Sequence, residues 1–183
     1  MLRKVRAKRI AEGLLREFKV KKAPVDIEKI AEKLPTKDIK GLKDLSLTIQ
    51  RETFSGDMQD VSAVLLKERG QAVIAVNAVH SDSRQRFSIA HELGHLILHS
   101  NSEHLNVDRY ETQFFTRAEG VHNLDEMEAN EFAATLLMPE DLLTNDFDKL
   151  YKKGPDNIIS DLAGKYKVSE AALTYRLKNL GLL

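Results

Sequence analysis

From Val5 to Phe18 the apolar positions fall at 7, 10, 11, 14, 15 and 18, the spacing of one helix face, and a basic outer face lies between them. Pro24 breaks the pattern. PVDIEKIAEKL then reads as a second helix, with Asp26 as cap, Ile27, Ile30, Ala31 and Leu34 on one side, and Pro35 as its stop. Between 45 and 77 the period shortens: LSLTI, VSAVLL and AVIAV alternate or run continuously apolar, and KERGQ turns the chain between the last two. Three strands are predicted, the last two a hairpin, in one antiparallel sheet.

Helical spacing returns after SDSRQ, where Ser81, Asp82 or Ser83 can cap, and continues through Phe87, Ala90, Leu93, Gly94, Ile97 and Leu98. Residues 100 to 123 hold no period and read as an irregular excursion, with a short strand around TQFFT. A connection of that length is uncommon unless it serves function. DEMEANEFAATLLMP is a helix ended by Pro139, and EDLLTNDFDKLY continues as another helix or turn. Beyond a joint at Gly154 and Pro155, two helices joined by KYKV are predicted, with Ser169 capping the second. The order implies an α+β fold with residues 1–150 as one domain and 151–183 as a helical, helix-turn-helix-like unit packed on it or appended to it.

Composition narrows the class. A chain of 183 residues, 42% apolar and 31% charged, can bury one good core and suggests a soluble, folded protein. Its longest apolar runs are too short to cross a bilayer and its basic start is followed by no signal-peptide core, so a cytoplasmic protein without membrane contact is expected. With no cysteine, a metal site must draw on His, Asp or Glu. The net charge of zero conceals a division: residues 1–22 hold nine Lys or Arg against two Glu, whereas 101–150 hold twelve acids against three bases. The basic end is read as a solvated helix face rather than a nucleic-acid patch.

The candidate chemistry lies in RFSIAHELGHLILHS. His91 and His95 are one turn apart on a helix, so their rings can converge on one ion, and Glu92, rotated by about 100°, suits a general base better than a ligand. His99 lies about 12 Å along the axis from His91. No single ion takes both, and His99 is assigned to packing or to a hydrogen bond beside the site. A third ligand is required. The pattern HExxHxxGxxH would need Gly at 98 and His at 101, where this chain has Leu98 and Asn101, so the ligand must come from elsewhere.

Asp125, Glu126, Glu128 and His122 compete for that place. Taking Glu126 as origin and about 100° per residue, Ala133, Leu137, Ala129 and Asn130 fall at about −20°, +20°, −60° and +40°, and Glu128 at about 200°. Glu126 would therefore occupy the centre of the apolar stripe, where a carboxylate is expensive unless it is paired or binds a metal. It is taken as third ligand. Asn130, one turn on, can hold a ligand ring by a hydrogen bond, and Gly94 offers a gap into which Ala129 and Ala133 can pack. His80, Arg86, His99, His104, Tyr110 and His122 are candidate donors to a developing oxyanion, with nothing to choose among them.

RQRFSIAHELGHLILH followed by EMEANEFAATLLMP resembles the ImmA/IrrE family of bacterial and phage metallopeptidases, and the likeness extends more weakly through PVDIEKIAEKL and LAGKYKVSEAALTYRLKNLG. The resemblance implies a zincin-like core with His91, His95 and Glu126 binding Zn2+, or alternatively Mn2+, and Glu92 catalytic. It also implies a substrate, a helix-turn-helix transcriptional repressor whose cleavage releases stress, phage or mobile-element genes. Two other classes compete. Arg176 and Lys178 on the last helix could make the tail a DNA reader, although its basic excess is modest, and a metal-stabilised anti-repressor could act without cutting.

Overall fold

The computed structural model describes residues 2–34, 42–68, 70–99, 106–109, 121–154 and 156–183, with backbone alone for 106–109 and 121–123. Helix α1 (Leu2–Glu17) and the short α2 (Ile27–Glu32) lead into strand β1 (Ser46–Glu52), a 3-10 turn (Gly56–Met58), and strands β2 (Val61–Glu68) and β3 (Gln71–Asn77). Then follow α3 (Asp82–Leu98), β4 (Asn106–Arg109), α4 (Val121–Leu137), α5 (Glu140–Tyr151), α6 (Ile158–Tyr166) and α7 (Glu170–Asn179). The arrangement is α+β. The caps act as the sequence suggests: Lys29 N donates to Asp26 Oδ1 at 3.1 Å, and Ala172 N to Ser169 Oγ at 3.2 Å.

The sheet departs from the expected three antiparallel strands. It has four, in the order β1-β3-β2-β4, and β1 runs parallel to β3, pairing Leu47 with Ala72 and Ile49 with Ile74. The hairpin explains why. Its two strands occupy each other's inner edges, so β1 takes the far edge of β3, and its end at Glu52, paired with Asn77, lies at the same end of the sheet as the start of β2. Residues 53–60 then need to pass over one strand only. Periodicity tells that a strand forms, and not which edge it joins. β4, antiparallel to β2, falls inside the stretch read as irregular, because four residues, NVDR, carry too little alternation to be seen. The strand expected around TQFFT lies outside the described residues.

Helix α3 is the centre of the molecule. Gln85 and every residue from Ser88 to Leu98 are buried, which covers its whole circumference, with the sheet on one side and α4 on another. Polar side chains so placed are costly unless they have partners. Helix α4 is covered twice, by α3 and by α1, whose buried face is Ala7, Ala11, Leu14 and Leu15. The basic face of α1, expected to be solvated, is in part turned onto acids: Arg3 Nη1 lies 2.8 Å from Asp125 Oδ1, and Lys8 pairs with Glu140 of α5. At the other end, Arg176 of α7 is 3% exposed and donates to Met138 O and to Glu131 Oε1, both at 3.3 Å, so it docks α7 on the end of α4. Among the described residues no helix is long and apolar enough to cross a membrane.

Candidate metal centre

His91 and His95 project from successive turns of α3, and Glu126 reaches across from α4. Glu126 Oε2 is 3.1 Å from His91 Nε2, Oε1 is 3.1 Å from His95 Nε2, and the two Nε2 atoms are 3.0 Å apart. Three ligands of a tetrahedral zinc ion at about 2.0–2.1 Å stand about 3.3 Å from one another. The donors thus form the base of such a site, a few tenths of an ångström contracted, and their chemistry, two imidazoles and a carboxylate, suits zinc.

The tautomer is set from behind. His91 Nδ1 lies 3.0 Å from Asn130 Oδ1, an acceptor, so Nδ1 carries the proton and the Nε2 lone pair points at Glu126 and His95. Burial holds the pKa of His95 below its ordinary 6.5, against the pull of its hydrogen bond to Glu126, which favours the neutral ring that metal binding requires. For Glu126 burial opposes ionisation, but the two imidazoles beside it outweigh burial and keep the carboxyl well below the usual range. Glu92 is on the same turn of α3 as His91 and is 1% exposed.

Close approach of the two helices depends on Gly94. A Cβ there would stand 3.1 Å from Phe132 Cδ1, 3.2 Å from Ala129 Cα and 3.3 Å from Ala129 O, tighter than ordinary contacts and mostly against backbone. Any side chain at 94 would push α4 away from the histidines.

One expectation is reversed. Glu126, placed by helical projection at the centre of a buried stripe, has a side chain 42% exposed, whereas Glu128, placed on the outward face, is 1% exposed. The projection assumed one covered face, but α1 covers the other. Glu126 instead stands partly exposed beside the histidines, and its position there, not its burial, is what makes it a candidate ligand. His99 caps the end of α3 and lies 3.7 Å from Asp125 Oδ1 and 3.8 Å from Glu128 Oε2, apart from the three convergent donors. Arg86 is turned away, donating to Val25 O at 2.7 Å, and His80 Nδ1 accepts from Arg84 at 3.2 Å. The side chains of His104, Tyr110 and His122 lie outside what is described.

Sequence reasoning passed over Arg3 and Arg6, which contact the acids flanking Glu126. The signal was present. Two arginines one turn apart on α1 match an acidic helix better than they match solvent. Arg84, seven residues before His91 and so on the same face of α3, was also passed over; it donates to Ser62 Oγ on β2.

The IrrE N-terminal-like domain, a peptidase family, matches residues 42–178. The radiation response metalloprotease IrrE of Deinococcus radiodurans is 33% identical over 108 residues, which is 57% of this chain and 30% of that protein. A Mycobacterium tuberculosis transcriptional regulator of known structure shares the fold with a TM-score of 0.55 at 18% identity, over 93% of this chain and 46% of that one. The chain therefore spans less than half the length of either relative. The matched region holds α3 and α4 together with the sheet, and with three convergent donors between those helices the chain belongs to the IrrE N-terminal-like domain family of metallopeptidases.

Proposed function

We propose that the protein is a zinc-dependent endopeptidase that cleaves a helix-turn-helix transcriptional repressor, with His91, His95 and Glu126 as ligands and Glu92 as general base. The observation that carries the reading is the convergence of two imidazole nitrogens and one carboxylate at 3.0–3.1 Å, directly beside a buried glutamate, in a chain of a metallopeptidase family. A zinc ion held there supplies Lewis acidity toward a peptide carbonyl and lowers the pKa of water. Glu92 takes the proton of the attacking water and returns it to the leaving amine, and Asn130 keeps the His91 ring in the orientation and tautomer that ligation needs.

The repressor as substrate rests on the likeness to the ImmA/IrrE family. Of the sheet's two outer strands, β1 has α2 packed on it, whereas β4 packs against α3, the helix with the histidines. The edge of β2, free if the sheet ended there, is occupied by β4. We place the extended substrate segment along β4, where it would add a strand. The DNA-reading alternative loses its main cation, since Arg176 is committed to Glu131 and Met138.

The direct test mixes the purified chain and zinc with a repressor encoded beside it, with Glu92→Gln and a chelator as separate arms. Cleavage by the unmodified chain alone is expected. Cleavage that survives both arms would sink the mechanism, and binding without cleavage in every arm would favour an antagonist.

A further inference from the structure

Arg6 belongs to α1, outside the group of donors, yet it touches both helices that carry them. Its Nη2 donates to Leu98 O, the last residue of α3, at 3.1 Å, and its Nη1 lies 3.7 Å from Glu128 Oε1 on α4. Arg3, one turn earlier, places Nη1 2.8 Å from Asp125 Oδ1 and 3.6 Å from Glu128 Oε2. Both acids flank Glu126, and Leu98 is three residues beyond His95.

Two requirements meet at this point. The last carbonyls of a helix lack intrahelical partners and stand at the negative end of its dipole, so a cation there is favoured. Glu128 is a carboxylate 1% exposed whose Oε1 accepts no hydrogen bond among the described residues, so it needs a counter-charge. One guanidinium answers both. Asp125, Glu128 and His99 also bring donor atoms within 4.8 Å of one another, as a cation site would, and the positive charge facing the two carboxylates comes from α1.

The mechanical consequence follows from where these contacts fall. The close approach at Gly94 and Ala129 sets the separation of α3 and α4 near the middle of their contact, and Glu126 lies three residues before Ala129, toward the start of α4. The Arg6 contacts tie the last residue of α3 to Glu128, two residues from Glu126, and so fix that part of α4 against α3. We propose that Arg6, supported by Arg3, is a positioning residue for the metal centre: it ties the end of α3 to α4 and so keeps Glu126 within reach of His91 and His95. The inference rests on the metal-centre reading above.

The test is zinc affinity of the full chain, measured by competition with a chromophoric chelator, beside thermal unfolding of the metal-free protein. Arg6→Gln should weaken zinc binding about fivefold to twentyfold, at or below the loss expected for a direct partner of a ligand. Arg6→Lys, which keeps the charge but not the fork, should recover part of it. Metal-free Arg6→Gln should melt lower, because Glu128 loses part of its counter-charge, so affinity is read well below that midpoint, where the variant is folded. Should that variant not fold, Glu128→Gln, which keeps the volume and removes the charge, carries the same expectation. Zinc affinity within twofold of the unmodified protein in the folded variant overturns the clamp, as does a lysine variant no better than glutamine. Glu126→Gln separates the two ideas: if it leaves affinity unchanged the metal-centre reading fails, and if it weakens affinity while Arg6→Gln does not, the clamp alone fails.

Discussion

Between α3 and α4 lie two groups of histidine and carboxylate, His91–His95–Glu126 and, one turn on, His99–Asp125–Glu128, and their residue types barely differ. What differs is their surroundings. In the first, donor atoms face one another at 3.0–3.1 Å and the carboxylate is 42% exposed. In the second, His99 is 3.7 Å or more from the acids, and those acids are met by Arg3 and Arg6 from a third helix. A carboxylate that already faces a guanidinium gains less from a metal ion than one whose neighbours are neutral rings. On the proposed reading, the third helix decides which of two similar groups is left to bind.

The largest expected effect separates chemistry from binding inside the first group. Glu92→Gln should lower peptide cleavage by about two to four orders of magnitude while zinc remains bound, because only proton transfer is removed. Retained activity in a zinc-loaded Glu92→Gln protein would leave the general base unassigned. Next, His95→Ala should weaken zinc binding by about two orders of magnitude or more, since two ligands no longer define a site; a chelator titration that cannot distinguish it from the unmodified chain would mean that the first group is not the metal centre.

A smaller effect tests how the groups are brought together. Gly94→Ala inserts a methyl 3.1–3.3 Å from Phe132 and the backbone of Ala129, so a loss of about 1–3 kcal/mol in stability is expected, measured by denaturant unfolding. The separation of the helices should grow, and zinc affinity should fall with it. Unchanged stability would show that α4 can retreat at no cost and that the spacing is not set at this glycine.

Much of this was legible beforehand, for reasons that can be named. His91, Glu92 and His95 could be placed relative to one another because all three lie on one helix, where about 3.6 residues per turn fixes relative direction. The helices themselves were visible from apolar spacing, and α2 and α7 from their caps at Asp26 and Ser169. The environment of Glu128 was not legible, because burial of that face depends on α1, which ends at Glu17, far away in sequence, and helical periodicity carries no information about which neighbour covers which face. The parallel pairing of β1 was hidden for the same reason. Arg176 was read with Lys178 as a possible DNA contact because two short helices joined by a tight turn resemble a helix-turn-helix, and the spacing does not show that Glu131 stands beside Arg176.

A paired carboxylate remote from both groups gives a measure of what such pairing contributes. Asp146 is 2.6 Å from Lys165 Nζ and accepts from the Tyr166 hydroxyl at 2.8 Å. Burial opposes its ionisation, but those two hydrogen bonds outweigh it and lower its pKa below the ordinary 3.8. A depressed carboxyl contributes stability that is present above its unfolded pKa and is lost as pH falls through the folded one. Asp146→Asn should therefore cost roughly 1 kcal/mol at pH 7, with the difference from the unmodified protein closing only below about pH 4. A difference that is constant from pH 7 to pH 3 would assign the effect to shape rather than charge.

The smallest expected effect is the one on which the comparison turns. His99 continues the spacing of His91 and His95, and its ring lies 5.5 Å from that of His95, so proximity alone would make it part of the centre. Its nearest acids, however, already face arginines, and a ring at 3.7–3.8 Å from them is beyond a good hydrogen bond. On the proposed reading His99 stands beside the centre as a neighbour of the His95 ring and is not one of its three ligands. His99→Ala should change zinc affinity by less than about threefold, below the range of a residue that directly orients a ligand, and should leave the stoichiometry at one ion per chain. A drop comparable to that of His95→Ala would mean that α3 supplies a different pair of histidines. If the triple variant lacking Arg3 and Arg6 as well as His99 bound more zinc than one lacking the arginines alone, the second group would be silent because of the ring rather than because of α1. Stoichiometry by titration distinguishes these outcomes, since the clamp predicts that any second ion appears only when the arginines are gone and only while His99 remains.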